Sequence, residues 1–389
     1  MLAFKLAFKN LIGAGLRTWL NVSVLSFAFV VIVFYNGMLD GWNRQGRSDT
    51  VAWETGNGQY WHPLYDRYDP FSLQDAHATV TGEAAKLVKE NQLLPMLITQ
   101  ATAYPQGRLL NVMLKGIDPN QEILSIPSAS LKPQNGEIPA LIGKRMAESA
   151  HLKKGDHVLV RWRDVNGTFD AREVQVVDIF KSNVPTVDVS QVYIPLSILQ
   201  EMTGMKDEAT LLVASATLSS TQIKGWTFKD TKFLLKDFDE MINAKKGGSR
   251  ILYLLLLTLA LLAIFDTQVL SVFRRQKEIG TYIALGMTRL QVIRLFTVEG
   301  SMHSLLALIL GSLYGIPLML FINKYGIPMP KSADQAGVAI SERIFPFYSL
   351  GMLVSTILLV VISATIVSYF PTRRISKMRP TYALKGKMQ

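Results

Sequence analysis

Apolar positions along the chain fall into two regimes. Residues 18–39, 251–265, 300–323 and 344–372 carry no charge, and the second stretch runs past one acid, Asp266, to Phe273. A helix rises about 1.5 Å per residue, so about 20 apolar residues cross the roughly 30 Å of hydrocarbon in a bilayer. The pattern predicts transmembrane helices at 18–39, 251–273, 299–323 and 346–370. Between the first two the periodicity shortens. Residues 96–104 and 108–116 alternate as strands around Pro105-Gln106-Gly107, and 157–163 and 172–180 do so around Asn166-Gly167, both hairpin signals. Strands are also expected at 192–194 and 210–218, with helices at 72–91, 195–202 and 232–243.

The predicted fold class is therefore an α-helical membrane protein. Four transmembrane helices carry a large mixed α/β extracytoplasmic domain, residues 40–250, inserted between helices 1 and 2. Two β-rich subdomains are expected within it, the second at about 117–220. The run 244–250 (Ala-Lys-Lys-Gly-Gly-Ser-Arg) reads as a flexible link into helix 2. The aromatics Trp42, Trp53, Tyr60, Trp61, Tyr65 and Tyr68 suit packing more than ligand recognition.

Charge sets the expected orientation. Lys5, Lys9 and Arg17 precede the first span, and residues 272–299 hold five bases against two acids. Residues 371–389 hold six bases and no acid, whereas 40–250 hold 24 bases and 25 acids. Basic flanks stay in the cytoplasm, so both termini and the 274–298 connection are expected there, with 40–250 and a short loop at 324–345 outside. Residues 1–17, with Phe4, Phe8, Leu11 and Ile12 on one face, suit an interfacial helix. The first apolar run is longer than the 7–15 residues of a signal-peptide core and no small-x-small site follows it closely, so it is expected to remain as a span.

Composition narrows the chemistry. The 389 residues are 49% apolar and 18% charged, with a net charge of +11 and no cysteine. The missing thiols exclude disulfides, thiolate metal sites and cysteine catalysis. A pI of about 9.6 suggests nucleic acid. The excess lies in juxtamembrane flanks, however, so topology and attraction to anionic lipid account for it, and no nucleic-acid partner is expected. The five histidines form no His-x-x-x-His pair, so no metal site is expected. No Gly-x-x-x-x-Gly-Lys-Ser/Thr loop or Gly-x-Ser-x-Gly elbow occurs, and no catalytic residue is expected. Asp66 and Asp69 read as solvated loop acids.

The segment 272–300 stands out. Ile279, Ile283 and Leu285 precede Gly286, and Leu290, Ile293 and Phe296 follow it, giving two short apolar faces between spans. Such an element suits docking to a cytoplasmic partner. Asp266, an acid about eight residues from Arg274, is an intramembrane polar candidate. Gly311, Gly315 and Pro317 make a close-packing, kink-prone stretch in helix 3, for which packing within one protomer and a dimer seam both remain open.

Arg274-Arg275-Gln276-Lys277-Glu278-Ile279-Gly280, then Ala284-Leu285-Gly286 and Glu299-Gly300, resemble the signature of FtsX/MacB-type (type VII) ABC transporter permeases. The ending Pro371-Thr372-Arg373-Arg374 leading to Pro380-Thr381-Tyr382-Ala383-Leu384, and the start at Phe8-Lys9-Asn10-Leu11, are similar to theirs too. Gly116-Ile117-Asp118-Pro119, Ile142-Gly143-Lys144-Arg145-Met146-Ala147 and Gly155-Asp156-His157-Val158 resemble the lipoprotein-releasing (LolC/LolE-type) branch. The resemblance implies a non-hydrolytic subunit working as a dimer, with a second copy or a paralogue, on two cytoplasmic ATPase subunits. ATP and Mg would sit on those subunits, with no cofactor on this chain. Arg274, Arg275, Lys277, Glu278, Ile279, Gly280, Ile283, Ala284, Leu285 and Gly286 would couple the ATPase to outer domains that release a lipoprotein toward a periplasmic carrier. MacB-like export of a small molecule or peptide, and a membrane-anchored sensor or binding module without transport, are the alternatives.

Overall fold

The computed structural model describes residues 16–132, 136–218, 221–329 and 343–373. The expected interfacial helix at 1–15, the core of the 324–345 loop and the tail from Arg374 lie outside the described residues. The chain divides into a helical unit (to Trp42, Ile242–Ile327 and from Ile344) and an α/β unit (Asn43–Met241 and Pro328–Arg343).

In the helical unit the four apolar stretches lie in long helices, Leu16–Thr50, Lys236–Arg274, Arg289–Tyr325 and Leu350–Thr372. All four are long and apolar enough to cross a membrane. The first is the hub: 56% of its most apolar window is buried, against 17–22% for the other three. Val22, Leu25, Phe29 and Val33 meet Leu257, Ala260, Ile264, Ala307 and Val360 in one core. Leu254, Leu259, Leu313 and Leu350 face outward, each more than half exposed, as side chains that face lipid do. Gly311 and Gly315 let the third helix close on the first. A Cβ on Gly315 would lie 2.9 Å from Val30 Cγ2, and one on Gly311 3.1 Å from Phe29 Cδ1. This pair therefore serves packing within one protomer. Pro317 removes one helical N–H, yet the helix continues to Tyr325.

Gly37 and Gly41, one turn apart on the first helix, receive the segment before the fourth. A Cβ on Gly41 would lie 2.1 Å from the Phe345 carbonyl oxygen, and Phe347 N–H donates to the Gly37 carbonyl at 2.8 Å.

Two helices outlast their apolar runs. The first continues through the polar residues 40–50, and the expected flexible link 244–250 is helical. Tertiary contacts override the weak local propensity of Gly247-Gly248. Lys246 Nζ donates to Asp40 at 2.6 Å, Lys245 lies over Trp42, and the Ser249 hydroxyl bonds the Lys246 carbonyl.

The α/β unit holds strands Gln59–Trp61 (β1), Ala78–Thr79 (β2), Leu93–Tyr104 (β3), Leu110–Ile117 (β4), Ile138–Gly143 (β5), His157–Arg163 (β6), Phe169–Phe180 (β7), Gln191–Pro195 (β8), Glu208–Ala209 (β9), Leu211–Ala214 (β10) and Thr227–Lys229 (β11). Nine of them form one sheet in the order β11-β1-β10-β3-β4-β8-β5-β7-β6. The sheet closes on itself because β3 also pairs β6, with Ala101 opposite Trp162 and Tyr104 opposite Leu159. Closure leaves β3, β4, β8, β5, β7 and β6 as a six-stranded barrel without free edges. The barrel begins before residue 117, since β3 and β4 are two of its staves.

Alternation sorts the side chains. In β6, Val158, Val160 and Trp162 are buried and their neighbours exposed. Leu97, Leu114, Val160 and Trp162 fill the barrel, while Leu94, Met96, Ile98 and Leu141 build a second core on the opposite face.

The helix expected at 72–91 shrinks to Gly82–Lys89. Asp69 caps a 3-10 turn at Pro70–Gln74, and Ala78–Thr79 is drawn into pairing with Glu208–Ala209. In the motif at 142–147, Gly143 ends β5 where a Cβ would lie 2.6 Å from Asp188 Cα. The buried Asp188 carboxylate accepts from Arg145 N–H at 3.0 Å and from its guanidinium at 2.8 Å. That motif joins a strand to a helix.

Candidate coupling hairpin

The second long helix stops at Arg274 because Arg275 leaves helical geometry (φ −100°, ψ 20°). A short helix, Gln276–Ala284, follows and ends at Leu285. Gly286 turns the chain at φ +98°, a region that glycine enters without steric cost. Thr288 then opens the third long helix with a capping box: its hydroxyl accepts from Gln291 N–H, and the Gln291 side chain accepts from Thr288 N–H. The result is a helix–turn–helix whose own core holds Val272, Ile279, Val292, Ile293 and Phe296, with Tyr282, Ile283 and Met287 packed against it.

A buried ion pair clamps the two arms. Arg275 Nη1 donates to both Glu299 carboxylate oxygens at 2.8 and 2.9 Å, and Nε donates to Glu278 at 2.7 Å. The guanidinium lies over the Phe296 ring at 4.7 Å. The side chains of Arg275 and Glu299 are only 19% and 10% exposed. Burial opposes the Arg275 charge, but the neighbouring Glu299 and Glu278 carboxylates outweigh it and hold the guanidinium above its ordinary range.

The sequence-predicted residues therefore divide. Ile279 and Gly280 are buried and Ile283 is half-buried, so Ile279 belongs to the hairpin's own core and offers no face to a partner. Arg275 points inward, away from the headgroup boundary where its charge alone would place it. Arg274, Lys277, Glu278, Ala284, Leu285 and Gly286 are exposed. Leu285 is 79% and Leu290 56% exposed, flanked by the exposed Arg289 and Arg294. Asp266 is exposed on the bundle's surface rather than turned into it.

Sequence reasoning missed the inward clamp, because Glu299 read only as part of a motif. It also missed the polar seam beneath it. A Cβ on Gly300 would lie 2.4 Å from Ser368 Oγ and 3.0 Å from Gln268 Cδ, so three helices meet at this glycine. His303 Nδ1 donates to the Gly300 carbonyl at 3.1 Å. Asn21 bridges to the Ala263 carbonyl at 3.2 Å and to Thr267 at 2.5 Å. The Asn21 bonds join the first and second long helices, while the His303 bond stays within the third.

Residues 250–380, which include the whole hairpin, match the family described as FtsX-like permease C-terminal. The chain is 20% identical to the lipoprotein-releasing system transmembrane protein LolC of Neisseria meningitidis serogroup B over 246 residues, 56% of this chain and 58% of that protein. The match thus spans a little over half the length of that curated relative. The crystal structure of the extracellular domain of a noncanonic ABC-type transporter, YknZ, from Gram-positive bacteria matches 47% of this chain and 94% of its own at 19% identity, with a TM-score of 0.25. The segment that resembles FtsX-like permeases thus coincides with the clamped hairpin and its flanking long helices.

Proposed function

We propose that this chain is the membrane subunit of an ABC transporter and that ATP is hydrolysed on two separate cytoplasmic subunits. The observation that carries this is the hairpin: an exposed apolar tip, Leu285 and Leu290, ringed by cations and locked by a buried ion pair inside the family-matched segment. A tip held rigidly against two spans passes a push from a docked partner into the bundle, which a floppy loop would absorb. The permease functions as a dimer with a second copy or a paralogue. The cargo is a lipoprotein passed to a periplasmic carrier; the distant similarity to LolC and the motifs at 116–119, 142–147 and 155–158 support that reading.

The purified chain alone should turn over no ATP, and a subunit bearing a phosphate-binding loop should co-purify with it after gentle detergent extraction and supply the activity. Hydrolysis by the isolated chain would refute the assignment.

The same proposal places both termini in the cytoplasm of a bacterial inner membrane and residues 40–250 in the periplasm, on the strength of the basic flanks. With single cysteines at Ser130 and Ser376 in a chain that has none, a membrane-impermeant thiol reagent should label position 130 only, in cells with a permeabilised outer membrane. Labelling of 376 but not 130 would invert the topology.

A further inference from the structure

The α/β unit contains a cavity of about 420 Å³ that the coupling function does not use. Its size falls within the roughly 300–1,000 Å³ range of small-ligand sites. Trp53, Trp61, Tyr65, Met96, Ile98 and Phe238 supply much of its wall. Of the aromatics that read as packing in the sequence, Trp53, Trp61 and Tyr65 line this space, whereas Tyr60 sits in a separate core.

Most polar groups lining that space are already engaged. Thr186 Oγ1 donates to Glu54 at 2.6 Å, and Trp61 Nε1 donates to Gln59 at 2.7 Å. Arg67 donates to the Leu234 carbonyl at 3.0 Å and lies 3.7 Å from Asp237. Two donors differ. Lys115 is half-buried and makes no hydrogen bond or ion pair among the described residues, its ammonium lying 5.7 Å from the Tyr193 ring centroid. The Tyr65 hydroxyl likewise has no acceptor among the described residues. A half-buried cation that faces an apolar-walled space with no protein acceptor favours an anionic partner there. Burial lowers the Lys115 pKa, with Glu54 raising it in part, and burial pushes the Tyr65 hydroxyl up to about 12. Both shifts follow first from burial, which disfavours the charged form.

We propose that this cavity binds a small amphiphile, an apolar body lying against the aromatic wall with a carboxylate head on Lys115. The carboxylate supplies the acceptors that Lys115 and Tyr65 lack, and the apolar body takes the space between Met96, Ile98 and Phe238. Glu54 remains tied to Thr186 and disfavours a second negative charge, so one carboxylate fits better than a more highly charged head.

The full chain in nanodiscs of phosphatidylcholine, without nucleotide or partner subunits, tests this independently of the transport reading. A dodecanoate probe bearing a photoreactive diazirine is compared with the same chain ending in trimethylammonium, and labelled peptides are mapped by mass spectrometry. The carboxylate should label cavity peptides at least tenfold more than the ammonium. Lys115→Met should abolish that preference and Lys115→Arg should keep it. Val184→Trp, which fills the cavity and leaves the lysine in place, should remove cavity labelling by both probes. Equal labelling by the two heads in the native chain, or labelling confined to the four long helices, would overturn the proposal without reference to any variant.

Discussion

Arg275→Met is expected to destabilise the hairpin by about 3–5 kcal/mol, because it strands Glu299 as an uncompensated buried charge. Glu299→Leu should do the same in mirror image, leaving the guanidinium over Phe296 without its bidentate partner. The double variant is the informative one. Replacing both members of a buried pair by apolar side chains of similar volume is close to neutral, so Arg275→Met with Glu299→Leu should recover most of the stability lost by either alone. Thermal unfolding of the four proteins in one detergent gives the cycle directly, since residues in contact show coupling well above the few tenths expected of distant sites. Simple additivity would mean that the clamp contributes nothing beyond its separate side chains. If the hairpin transmits force, the single variants should also uncouple transport from ATP hydrolysis.

Leu285→Asp with Leu290→Asp should weaken binding of the ATPase subunit tenfold or more while leaving the permease folded. Each leucine is exposed at the tip, and covering one such side chain is worth about 1.5–3 kcal/mol. Ile279→Asp is expected to act differently. That side chain is fully buried against Val292 and Phe296, so an acid there should unfold the hairpin and lower thermal stability before any partner is added. Co-purification read beside thermal stability separates the two effects. Unchanged binding in the Leu285 and Leu290 variant would show that the partner docks elsewhere.

Much of the architecture was legible from short-range pattern. Apolar runs without charge are self-reporting, since about 20 such residues have little use outside a bilayer. The turns at Pro105-Gln106-Gly107 and Asn166-Gly167 were readable because their backbone conformations admit few residue types; β3, β4 and β6 lie at or near their expected positions, while β7 starts at Phe169, ahead of the expected 172. Gly286, between the two short apolar faces, does sit at the turn, with φ +98°.

Direction and closure were not legible. Periodicity shows that Ile279, Ile283 and Leu285 are apolar, but only the return of the third long helix decides that Ile279 faces inward and Leu285 outward. Arg275 looked like its neighbours Arg274 and Lys277, and its distinction depends on Glu299, a partner 24 residues away. Closure of the barrel rests on residues 101–104 meeting 159–162, and the cavity gathers Trp53, Lys115, Val184 and Phe238 from distant parts of the chain. Helix through 40–50 and 244–250 likewise depends on contacts such as Lys246 with Asp40. Local pattern specifies which residues must leave water and which turns they can make. Which partner each meets on leaving was decided by the tertiary structure, because a local pattern specifies a face and only the folded chain supplies what covers it.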